Sequence, residues 1–109
     1  MKYDDSYRAP RHPLVVDVVV TEIQSGAQIS ERTKDLGPCG CGVTTATPFP
    51  AGTRIMLKVT YREETITAFG RVVYGRPDIG MVITFTIIAP EVQKLIAGWI
   101  AELEMSNAT

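Results

Sequence analysis

Two arginines in the run Arg8-Ala9-Pro10-Arg11, and a carboxylate that opens the stretch Asp35-Leu36-Gly37-Pro38-Cys39-Gly40, are the residues whose types and spacing could do chemistry. A guanidinium presents a planar fork of donors that fits phosphate oxygens and the O6/N7 edge of guanine, and it stacks on flat rings. A carboxylate beside bare glycine backbone can accept hydrogen bonds from ring N–H and amino groups of the same base. Together these groups suit an anionic purine nucleotide. The plainer reading of the same residues is a solubilising arm and an ordinary aspartate turn.

Catalytic machinery is not visible. The single histidine, His12, sits in a polar, proline-containing arm, and no serine or cysteine lies in a nucleophile motif. There is no phosphate loop or dinucleotide fingerprint. Cys39 and Cys41 are one residue apart, which is neither a disulfide framework nor, without further ligands, a metal set. One small apolar residue facing inward and one at the surface is the expected reading of the pair. A redox or enzymatic role for these thiols is the third alternative, behind a binding module and an adaptor.

The elements that must position the arginines and the carboxylate follow from periodicity. Residues 1–13 form a flexible arm, because Pro10 and Pro13 prevent regular helix. The valine-rich run Leu14 to Ile23 predicts the first strand, with Val16, Val18 and Val20 on one face. Ala27 to Leu36 predicts a second, half-exposed strand. Gly37 to Gly42 packs three glycines and a proline into six residues, which predicts a loop or bulged bend. Cys41, Val43 and Thr45 resume a short strand. Thr53 to Tyr61 alternates, with Ile55, Leu57, Val59 and Tyr61 facing one way. Thr65 to Tyr74 continues through Ile66, Ala68, Gly70, Val72 and Tyr74, and Ile79 to Ile88 is the last strand. Six or seven short strands at this spacing predict an antiparallel β-barrel or a sandwich, of which we adopt the barrel. After Pro90 the period changes. Val92, Leu95, Ile96, Trp99, Ile100 and Leu103 predict an amphipathic helix over about 90–103 that closes the barrel, with Trp99 as a packing residue.

In such a barrel the start of the first strand and the end of the second lie at the same end. The arm arginines then face Asp35 and the glycine bend. The composition agrees with one globular domain: 45% hydrophobic and 21% charged residues in 109 exclude a disordered tail. A net charge of −1 gives no global field for nucleic-acid polymers or anionic lipid. No apolar run is long enough to span a bilayer, and the polar start, Met1 to Ser6, is unlike a secretory signal. These features predict a cytoplasmic domain, 14–109, behind the arm, with no membrane insertion and no cofactor.

The order of these features resembles the PilZ domain, a bacterial receptor module for cyclic di-GMP. That family's pattern is an R-x-x-x-R arm, then [D/N]-x-S-x-x-G, a six-stranded split barrel and a closing helix. Arg11 before His12-Pro13-Leu14 is similar to the second arginine, and Asp35 to Gly40 to the second motif. The resemblance continues through Pro50-Ala51-Gly52-Thr53, Gly70-Arg71-Val72-Val73-Tyr74, and Phe85 ahead of Ala89-Pro90-Glu91 and Trp99-Ile100. It covers residues 8 to 103. It implies cyclic di-GMP as ligand, contacts from Arg8, Arg11, Asp35, Gly37 and Gly40, a signalling role in motility or pilus regulation without enzymatic activity, and a protein partner whose identity it does not give. Two positions depart from the pattern. Tyr7 stands where the family has its first arginine, with Arg8 one step off, and Gly37 replaces the serine. The alternative implied by these departures is a degenerate PilZ domain that does not bind the nucleotide and acts as a protein-interaction adaptor.

Overall fold

The computed structural model describes residues 10–106. Its strands are β1 (His12–Pro13), β2 (Asp17–Glu22), β3 (Gln28–Leu36), β4 (Gly40–Thr44), β5 (Arg54–Tyr61), β6 (Glu64–Arg76) and β7 (Gly80–Ile87), followed by helix α1 (Pro90–Ser106). The sheet order is β1-β3-β2-β5-β6-β7-β4, and a further β3–β4 pairing closes it. β1 and β2 lie in series along one edge of β3, against Asp35–Leu36 and Gln28–Arg32. The result is a closed six-stranded antiparallel barrel with a C-terminal helix, as the alternation predicts. Val18, Val20, Leu36, Val43, Ile55, Leu57, Val59, Ile66, Val72, Met81 and Ile83 fill the interior.

The valine run does not make one strand. Pro13 pairs with Asp35 and Asp17 with Arg32, so the chain between them holds one residue more than β3 opposite. Thr33, 1% exposed, bridges this bulge. Its Oγ1 donates to the Leu14 carbonyl at 2.6 Å and accepts the Val16 N–H at 3.0 Å. Val15, on the face opposite Leu14 and Val16, is 62% exposed. A run of one residue type carries no mark of such a bulge. Thr33→Val keeps the shape but orphans both backbone groups. Urea unfolding should show a loss of about 2 kcal/mol, and a change within error would show that water replaces the hydroxyl.

Two further expectations are corrected. Gly40 and Gly42, expected in a loop or bulged bend, are buried in β4 beside Cys41, a strand residue as expected. Tyr74 leaves the inward series that Ile66, Ala68, Gly70 and Val72 follow, because the β6–β7 register shifts between Val72 and Tyr74. The helix runs to Ser106, three residues beyond its apolar stripe. α1 packs on β1 and β6 at the barrel end that carries the arm. There Trp99 meets Tyr61 edge-to-face at 5.2 Å and its Nε1–H donates to Glu64 Oε1 at 3.3 Å. The β5–β6 turn puts Arg62 and Glu63 at φ 52° and 68°, conformations that cost a side chain roughly 1 kcal/mol each. Arg62 is held there by Glu102 at 2.6 Å and by the Tyr61 ring. Trp99 is thus a packing residue.

Candidate functional site

Asp35 sits near the end of β3, opposite Pro13 of β1 on one side and Gly42 of β4 on the other. Its Oδ1 accepts the Gly42 N–H at 2.7 Å, which fixes the carboxylate against β4. The Arg11 Nε lies 3.6 Å from the same oxygen, and both side chains are about a quarter exposed. An ion pair screened this little is worth more than one in open solvent. Arg11 Nη1 is buried and has no hydrogen-bond acceptor among the described residues. It is a donor whose desolvation is not repaid among the described residues.

Gly37 joins this pair. Its N–H donates to the Gly40 carbonyl at 2.9 Å, closing the β3–β4 bend. A Cβ on Gly37 would fall 2.5 Å from the Pro10 carbonyl oxygen and 2.8 Å from Arg11 Cγ. The end of the arm therefore lies in the space a residue-37 side chain would need. Gly40 faces the other way. A Cβ there would overlap the Ile83 carbonyl oxygen of β7, so Gly40 serves close strand approach. Arg11, Asp35 and Gly37 come together as the antiparallel logic predicts, and Gly40 backs them. Arg8 lies outside the described residues. The Gly42 N–H that orients Asp35 was hidden by the loop reading of the glycine run. A surface pocket of about 560 Å³ between Glu22–Gln24 and Ala51–Arg54 contains none of these residues.

Cys41 offers no nucleophile at neutral pH. Burial pushes Cys41 up to about 12, with the Asp35 charge adding to the rise and Arg11 opposing it. Cys39 is half-buried, and its carbonyl accepts the Phe85 N–H at 2.8 Å. A maleimide reagent at pH 8 should label Cys39 first and Cys41 only on unfolding. Because the unfolded Cys41 ionises near 9.0 and the folded one near 12, stability should fall as pH rises between those values and be unaffected by this group below them. Equal labelling rates of both thiols in the folded protein would contradict this burial. Among the described residues no cluster of histidine, cysteine and carboxylates could hold a metal, and no helix is long and apolar enough to cross a membrane.

A carboxylate held by a backbone N–H, beside a guanidinium with an unused donor, is an arrangement for gripping a polar planar ligand rather than transforming one. Residues 6–102 match the family model of the PilZ domain. The chain belongs to the PilZ family. PilZ domains are cyclic di-GMP receptors that often interact with proteins, and they are ligand-binding or adaptor modules rather than enzymes. The fold is similar to the PilZ domain of CeSA from a cellulose-synthesizing bacterium, with TM-score 0.72 and 17% identity over 88% of this chain and 99% of that one. It is also similar to the inhibitor of motility MotI/DgrA of Bacillus subtilis, with TM-score 0.69 and 17% identity. That match covers 97% of this chain and 53% of the other, so the PilZ domain here spans about half of the motility inhibitor. No curated protein sequence matches the chain.

Proposed function

We propose that this PilZ domain is a cytoplasmic cyclic di-GMP receptor in which Arg11 and Asp35 grip the nucleotide, Arg8 adds a second guanidinium from the arm, and Gly37 and Gly40 shape the bend beneath it. The observation that carries this reading is the buried, unpartnered Nη1 of Arg11 beside Asp35. A guanine presents an acceptor edge to the first and donors to the second, and its phosphate supplies further acceptors. Binding draws Arg11 from Asp35 to the ligand, and the arm exchanges its place on the bend for a place around the nucleotide. Since β1 also touches α1, that exchange alters the surface a downstream protein meets.

Isothermal titration with cyclic di-GMP tests the proposal. The wild type should bind, and Arg11→Ala should bind about tenfold to a hundredfold more weakly through loss of charge-assisted hydrogen bonds. Deleting Met1 to Arg11 should weaken binding at least as far. A folded wild type giving no heat at about 100 μM ligand, near −5.5 kcal/mol, would exclude it.

The second reading, a nucleotide-blind adaptor in pilus or motility regulation, is favoured by one observation. The arm already occupies the space over Gly37 where the family's serine would stand. An adaptor retains its protein partner when Arg11 becomes alanine, whereas a receptor loses its nucleotide-dependent response.

A further inference from the structure

Outward-facing residues of β5 and β6 place Arg54 directly opposite Arg71. Like charges at opposed cross-strand positions destabilise a sheet. Both arginines are exposed, and among the described residues neither makes an ion pair. The nearby Glu22 carboxylate accepts the Ser25 hydroxyl instead, at 2.5 Å. Lys58, two residues along β5 from Met56, adds a third unpaired cation to the same outward row. In a chain of net charge −1, these three cations on one face are a local excess of positive charge, with the neighbouring Glu22 engaged by Ser25.

The same face is also apolar. Phe69, Ile23 and Ile87 are 38%, 50% and 68% exposed, and with Arg54, Arg71 and Thr86 they line a groove of about 390 Å³. Met56, opposite Phe69, extends the apolar strip and is half-buried. Aromatic and arginine side chains around a desolvated centre are the composition of a protein-interface core. A nucleic acid would leave the isoleucines and phenylalanine without partners, and a flat bilayer would not fill a concave groove.

We propose that this groove docks an acidic segment of a partner protein, which inserts an apolar side chain between Phe69 and Ile87 and lays carboxylates on Arg54 and Arg71. The surface shares no residue with the Arg11–Asp35 site, so the inference stands whether or not the nucleotide binds.

The test is an amide-resolved NMR titration of the full chain with a short synthetic peptide, a central phenylalanine–leucine pair between runs of glutamate. Saturable shifts should centre on Phe69, Arg71, Thr86 and Ile87. Affinity should fall about tenfold as salt shortens the screening length from about 30 Å to 8 Å. The double charge swap Arg54→Glu with Arg71→Glu should lose this peptide and bind its lysine counterpart, a reversal that unfolding cannot mimic. No shifts, shifts centred on Arg11 and Asp35, an unreversed preference, or stronger responses at these amides to oligothymidylate or phosphatidylglycerol vesicles would each overturn the proposal.

Discussion

Gly40→Ala should destabilise the barrel by about 3 kcal/mol or more, one of the largest effects available to a single methyl group in this fold. The added Cβ would overlap the Ile83 carbonyl oxygen and lie 3.1 Å from the Ile83 carbonyl carbon and 3.2 Å from Thr84 Cα. Every one of these is backbone, so no side chain can swing aside. Relief requires β4 and β7 to separate, and their pairing runs from Gly40–Thr84 to Val43–Met81. It also disturbs the Gly37 N–H to Gly40 carbonyl bond that shapes the bend under Arg11. Gly98→Ala is the matched control. It lies inside α1 with nothing within 4 Å of the new methyl, so alanine should stabilise by about 0.8 kcal/mol through helix propensity. Urea unfolding followed by Trp99 fluorescence reads both. Similar small shifts in both variants would show that the β4–β7 spacing is adjustable, and that Gly40 matters for some other reason.

The glycine motif therefore combines two demands that residue types alone cannot separate. Glycine density signals unusual backbone, and the unusual feature at Gly40 is strand proximity inside a sheet, not a loop. The pairing of Arg11 with Asp35 was legible, because antiparallel connection fixes which strand ends meet and needs no register. The bulge at Leu14–Val16 was not legible. It is set by Thr33, whose hydroxyl joins two backbone groups distant in sequence and whose neighbours look like any half-exposed strand. Tyr74 shows the same limit, since a register shift reverses every side chain beyond it while the alternation in the sequence continues unchanged. By contrast the helix face was readable in full, because Ile96 and Trp99 recur at helical spacing and no strand pairing can shift them.

Gly37→Ser, which restores the family's residue, should tighten cyclic di-GMP binding about tenfold while leaving the barrel folded. The serine Cβ cannot coexist with the arm in its present place, where the Pro10 carbonyl oxygen and Arg11 Cγ stand 2.5 and 2.8 Å away. Unlike the atoms that meet Gly40, these belong to the chain's N-terminal arm, so the arm can leave the bend and only β1 need loosen. Arg11 then parts from Asp35, and the pair's small stabilisation is lost from the ligand-free state alone. A docked arm that must be displaced lowers apparent affinity by the fraction of molecules already undocked. Raising that fraction tenfold is worth about 1.4 kcal/mol, before any hydrogen bond from the new hydroxyl. Titration calorimetry gives the affinity, and faster amide exchange at Arg11 and His12 in the free variant reports the released arm. If the arm is released and affinity is unchanged or weaker, the docked arm is already competent to bind and Gly37 does not restrain it. The double variant Gly37→Ser with Arg11→Ala completes the argument, because the gain from releasing the arm should vanish once Arg11 has no guanidinium to deliver.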